Sequence, residues 1–184
     1  MRNRSRERGN QTVEFTMLGI PLVFILFSIA NMSFGMLTMH TMQEAVEQAA
    51  RFAATRGSTC SSGTNTCTVT VQQIAGAVAS LAAGVSASKL SVTLTPAADT
   101  GNAITCNPLT ACLSSCSSGC SGSRTTVWPT STNGDNSPGK DIIVSADCTV
   151  NAPIFMFWGG GSGSGSEKEK STSFHAYSRQ RLMF

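Results

Sequence analysis

Phe15–Leu37, FTMLGIPLVFILFSIANMSFGML, decides how this chain is read. No Asp, Glu, Lys or Arg interrupts the sequence between Glu14 and Glu44. Coiled as a helix, a stretch of that length rises roughly 34 Å, against about 30 Å for the hydrocarbon layer of a bilayer. A single membrane span follows. Pro21 falls in its first turns, where a missing backbone donor is tolerated at the expense of a slight bend.

Outward toward the N-terminus, the charge is one-sided. Arg2, Arg4, Arg6 and Arg8 stand against Glu7, so residues 1–9 hold the whole formal charge of +3, and the remainder of the chain balances to zero. Four arginines before the span and none after it until Arg51 place the N-terminus in the cytoplasm by the positive-inside rule. A chain whose remainder is neutral has no basic surface to suit a nucleic acid. The charge is an address label.

Outward toward the C-terminus, the helix is expected to continue. His40–Arg56 (HTMQEAVEQAARFAATR) is built of strong helix formers and ends before Gly57. Met39, Met42, Val46, Ala49 and Ala53 fall on one stripe, opposite Gln43, Glu44, Glu47 and Arg51. The expectation is one helix from about Thr12 to Arg56, lipid-facing first and amphipathic later. A second helix is predicted at Val71–Ala83, because Thr70 and Gln73 have capping-box spacing and Gly84 follows the last turn.

Alternation then replaces the helical period. Leu90, Val92 and Leu94 share a face in Lys89–Thr95, and Ile142, Val144, Ala146, Cys148 and Val150 share one in Asp141–Val150. Ser171–Arg181 reads as a weaker strand, with Phe174 and Ala176 on one face and Tyr177 on the other. Residues 97–139, rich in Ser, Thr, Gly and Cys, read as an irregular insertion held by disulfides. Residues 159–166, GGGSGSGS, form a flexible tract between two strands. The fold class is therefore α+β: a long N-terminal helix, a second helix and a three- or four-stranded antiparallel sheet. The organisation is a leader at 1–9, a transmembrane helix at 10–39, its amphipathic extension at 40–57, and an exported unit at 58–184.

The cysteines are Cys60, Cys67, Cys106, Cys112, Cys116, Cys120 and Cys148. In an exported domain with a thin core, disulfides are the expected staples. Cys60 and Cys67 can close a short loop after the long helix, and the 106–120 cluster can form one or two bridges. Seven is odd, and the connectivity stays open. Cys148, on the apolar face of a strand, is the candidate for burial. The cluster lacks two-residue metal spacing, and His40 and His175 are the only histidines, so neither a metal nor a cofactor is expected. No nucleophile elbow or phosphate-binding glycine loop argues for an enzyme.

The most informative motif is RGNQTVEF, Arg8–Phe15. A carboxylate at the mouth of an apolar helix is costly unless it stays near water or meets a cation, although Glu14 also suits the positive end of the helix dipole. Arg8-Gly9, then Glu14 and Phe15 opening an apolar run, resembles a type IVb prepilin processing site. The order continues through QEAVEQAARFAA, VQQIAGAVASLAA, KLSVTLTP and DIIVSADCTV to a last strand ending in Ser-Arg. This pattern is similar to the TadE-like pseudopilins of bacterial tight-adherence (Flp pilus) systems over residues 5–96 and 140–181. The resemblance implies cleavage between Gly9 and Asn10 by a prepilin peptidase. It also implies that Glu14 neutralises a neighbouring subunit's new amino terminus, and that Phe15 opens the packing surface. The implied partners are membrane lipid, other pilins or pseudopilins and the inner-membrane Tad assembly platform, with no catalysis. The cysteine-rich insertion and the Gly/Ser tract depart from the family pattern.

Two other outcomes stay open at the sequence level. Ser28-Ile29-Ala30 resembles a secretory cleavage site and would release a disulfide-rich protein. An envelope adhesin or binding domain, tethered by an uncut helix, fits the same span. Asn151–Trp158 (NAPIFMFW) is expected to pack as core on the helices, or to serve as an exposed patch for a partner subunit or the bilayer surface.

Overall fold

The computed structural model describes residues 5–56, 61–62, 65–96, 102–131, 134–151 and 171–183. It divides the chain into two units, one containing the N-terminal residues to Met36, the other containing Leu37–Asn151 and Ser171–Phe184.

Helix α1 runs without interruption from Ser5 to Ala54, with Pro21 inside it. It starts seven residues before the expected Thr12, because Ser5–Gln11 holds no residue that forces the chain out of the helix except Gly9, and one glycine costs only about 1 kcal/mol. Up to Met36 its large apolar side chains are exposed all round, Phe15 at 78% and Leu18 at 75% among them. A helix clothed this way needs a non-aqueous environment. Thr12–Ala54 is long and apolar enough to cross a membrane.

In the second unit the same helix becomes amphipathic. Met42, Val46, Ala49 and Ala53 are buried on the expected stripe, which Ala45 and Ala50 widen. Met39 does not belong to it: it is 46% exposed. Arg51 and Glu47 pair on the exposed side, one turn apart. Hydrogen bonds tie the helix to the rest of the unit: Thr41 Oγ1 donates to the Ala83 carbonyl (3.2 Å), and the Met183 N–H to that of Ala54 (3.4 Å).

A short hairpin, β1 (Ser61–Ser62) with β2 (Asn65–Thr66), precedes helix α2 (Val71–Leu81). The capping box at the start of α2 is complete. The Gln73 N–H donates to Thr70 Oγ1, and the Thr70 N–H to Gln73 Oε1. The helix stops at Leu81, two residues before the expected Ala83, where the chain turns toward Gly84 at φ +86°. Ile74, Ala75 and Val78 form its buried face.

Strands β3 (Leu90–Pro96), β4 (Ile104–Cys106), β5 (Asp141–Asn151) and β6 (Ser171–Arg181) make one antiparallel sheet in the order β4-β3-β5-β6. The register Leu90↔Cys148, Val92↔Ala146, Leu94↔Val144 puts the apolar residues of β3 and β5 on one face, where they are buried. Ala176 joins them from β6 and is buried, with Phe174 packed at the margin. Val150, assigned to the same face, lies outside the described side chains.

The segment between β3 and β5 carries two of the expected disulfides and also enters the core. It supplies β4, a fourth strand, and places Leu109, Cys112 and Trp128 in the one core cluster that also holds the inner faces of α1, α2 and the sheet. The Trp128 N–H donates to the Val69 carbonyl (2.9 Å) and the Val71 N–H to that of Thr126 (3.0 Å), stitching its end to the start of α2. Pairing with a distant partner overrode a composition that reads as loop.

Candidate functional site

The segment assigned to processing and packing lies at the start of α1. Gly9 and Asn10 are in helical backbone. Glu14 and Phe15 are both exposed. Glu14 follows Asn10 by four positions, so the two sit one turn apart on the same side of the helix. Among the described residues no cation lies within ion-pair distance of Glu14. The carboxylate can therefore accept a cation brought by another chain.

Further along the span the polar side chains are few, and most are already occupied. The hydroxyls of Thr16, Ser28 and Ser33 donate to the carbonyls of Thr12, Phe24 and Ile29 at 2.7, 2.9 and 2.9 Å. Asn31 Nδ2 donates to the Phe27 carbonyl at 2.7 Å.

The cysteines divide as their surroundings dictate. Cys106–Cys112 and Cys116–Cys120 are disulfides, the first with both residues buried, the second at the surface of the 102–131 segment. Cys67 is also disulfide-bonded, at one end of the β1–β2 hairpin, while Cys60 lies outside the described residues. Cys148 is a free, buried thiol, whose pKa burial pushes up. Among the described residues no group of three or more His, Cys, Asp or Glu side chains could hold a metal.

Sequence reasoning missed one further cluster, on the outer face of the sheet. The register Asp147↔His175 brings Asp147 Oδ1 to 2.6 Å from His175 Nδ1, and Tyr177 (62% exposed) stacks beside that imidazole. Arg179 Nε donates to Asp141 Oδ2 at 2.9 Å, and Arg181 lies 3.6 Å from the same carboxylate. The Arg179 hydrogen bond holds the Asp141 carboxyl below its usual pKa. The 11-residue pairing of β5 with β6 sets both pairs, so knowing that pairing would have revealed them. The His–Asp pair is more than half exposed, and among the described residues no hydroxyl or thiol hydrogen-bonds the other ring nitrogen. The arrangement orders a polar surface.

Comparison with protein families bears on the first of these regions. Residues 9–51 match the family of TadE-like proteins. Over that segment the chain is similar to TadE-like proteins. The TadE-like segment begins at Gly9, contains Glu14 and the whole apolar span, and ends at Arg51 on the amphipathic part of α1. The sheet and the cysteine-rich segment lie outside it. Comparison with curated proteins and with solved structures gives no match.

Proposed function

We propose that this chain is a minor pilin or pseudopilin, a structural component in the assembly of tight-adherence (Flp, type IVb) pili. One observation carries the reading. The TadE-like match, over residues 9–51, takes in all of the RGNQTVEF motif but Arg8, and the helix that follows, whose large apolar side chains up to Met36 are exposed on every side. In this reading the helix crosses the bacterial inner membrane once, with the arginine-rich end in the cytoplasm and the α+β unit in the periplasm. The disulfides suit that oxidising compartment.

A prepilin peptidase cuts between Gly9 and Asn10, and Glu14 then meets the freed amino group of a neighbouring subunit. Burying a carboxylate in low dielectric is tolerable when an opposite charge accompanies it. The partners are membrane lipid, the peptidase, other pilins or pseudopilins and the Tad assembly platform. The chain supplies anchorage and contact surface to the filament and turns over no substrate.

Intact-mass analysis of the protein from its native host tests the reading. A mature N-terminus at Asn10 is the expected result. A chain that retains Met1, or one that begins at Asn31, would overturn it.

A further inference from the structure

We infer that Asn31 pairs two copies of this chain side by side within the membrane, through reciprocal hydrogen bonds between their carboxamides. The inference rests on the membrane-spanning reading given above and goes beyond it by naming a contact residue and its occupant. Within Phe15–Leu37 there are four polar side chains: Thr16, Ser28, Asn31 and Ser33. Each of the three hydroxyls has one proton to donate, and each spends it on the carbonyl four residues back. Asn31 differs. A carboxamide offers two N–H groups and an acceptor oxygen, and among the described residues only one N–H finds a partner, the Phe27 carbonyl.

The remaining N–H and the Oδ1 face a solvent that cannot serve them. Asn31 lies five residues past the midpoint of the span, about 8 Å along the axis and well inside a layer about 30 Å thick. Leaving polar atoms unsatisfied there is unfavourable, and amides in spans accordingly bond across helices. A second copy is the occupant that fits. Both copies insert with the same orientation, so their Asn31 side chains meet at one depth, and a carboxamide is complementary to itself. Any other helix would need a polar group at that same level.

The neighbours on the helix allow the approach. Ser28, Asn31, Gly35 and Thr38 recur three and four residues apart, the period of a two-helix seam, and Ser28 and Gly35 flank Asn31 with small side chains. The same line continues into Met42 and Ala45, which are buried in the core of their own chain. The homotypic contact therefore ends near Thr38, where the seam changes partner. As in soluble coiled coils, one amide in an otherwise apolar seam fixes register and copy number.

The test uses two differently tagged full-length copies in one bacterial inner membrane. It combines energy transfer in intact cells with co-purification in mild detergent. Wild-type copies are expected to associate. Asn31→Leu, which keeps size and raises apolarity, is expected to weaken association roughly three- to twenty-fold, while Asn31→Gln retains it. Ile29→Ala, on the opposite side of the helix, leaves it unchanged. Association equal to wild type in Asn31→Leu, loss in Ile29→Ala as large as in Asn31→Leu, or monomeric wild type in a correctly inserted chain would each overturn the pairing. A wild-type chain recovered only with a different pilin would also overturn it. Absence of the chain from the membrane fraction would instead defeat the membrane reading on which the pairing stands.

Discussion

Truncating Trp128 to alanine is the most informative single lesion in the α+β unit, because Trp128 is the largest fully buried side chain among the described residues and comes from a segment that reads as loop. It is 1% exposed and belongs to the cluster that holds the faces of α1, α2 and the sheet. An aromatic side chain removes about 150–250 Å² from water, at about 25 cal/mol per Å², or roughly 4–6 kcal/mol. Alanine keeps only the first carbon, and core tryptophan truncations elsewhere cost about 3–5 kcal/mol. Against a typical domain stability of about 5–15 kcal/mol, Trp128→Ala leaves a marginal fold. The assay is denaturant unfolding of the full chain in detergent micelles with its disulfides intact, followed by the circular dichroism of the sheet. A fall in midpoint at unchanged slope is expected, with a smaller fall for Trp128→Phe and none beyond about 0.5 kcal/mol for the exposed Tyr177→Ala. A Trp128→Ala midpoint equal to wild type would refute the reasoning, since residues 102–131 would then not share the cooperative core.

Two further outcomes follow from the sheet. Asp141 has a folded-state pKa below its ordinary 3.8, caused first by the Arg179 hydrogen bond. Its stabilising contribution is therefore complete above that value and is lost as the pH falls through the depressed folded one. Thermal melts from pH 7 to pH 2 should show Asp141→Asn less stable than wild type at neutral pH and converging with it in acid; a constant gap would exclude the linkage. Cys148 is buried with its thiol pKa raised, so iodoacetamide at pH 8 should label it in unfolded chains and spare it in native ones, as read by intact mass. Cys148→Ser should cost about 1–3 kcal/mol for the unmatched hydroxyl. Rapid labelling of the native protein would contradict the burial.

Local patterns with a short-range cause were legible in the sequence. The capping box at Thr70 and Gln73 needs only three-residue spacing, and it forms as expected. Ser171–Arg181 reads as a strand from alternation alone, and β6 has those bounds. Strand β4 was not legible, because three residues carry no period and Ile104–Cys106 pairs only because β3 already presents an edge. Trp128 was hidden for a related reason: its backbone partner, Val69, lies some sixty residues earlier in the chain. The candidate site was legible as a motif, RGNQTVEF, since Arg, Gly and Glu at those spacings ahead of an apolar run are a local feature. In the proposed function that motif acts through a peptidase and a neighbouring chain, which neither packing nor burial in one chain can report. Two expectations, the NAPIFMFW stretch beyond Asn151 and the Gly/Ser tract at 159–166, lie outside the described residues.

The change along α1 is a change of side-chain size as well as of surroundings. Before Leu37 the helix carries Phe, Leu, Ile and Val on every side, which suits contact with fluid chains that mould to any shape. After Met42 its buried face is largely alanine, at 45, 49, 50, 53 and 54. Small side chains permit close approach of other elements but bury little area each, so the transfer energy of the core has to come mainly from its larger members, Trp128, Ile74, Leu90 and Leu94 among them. Anchor and core therefore draw on separate residues of one helix and of different segments. A core lesion such as Trp128→Ala should leave the α+β unit marginally stable and open to protease without disturbing the apolar part of the helix. Under the proposed function, Glu14→Ala should leave that unit folded and remove only what the carboxylate contributes to assembly. If both variants abolish filaments but only the first exposes the unit to protease, the two halves of the helix have separable roles; if Glu14→Ala also unfolds the unit, they do not.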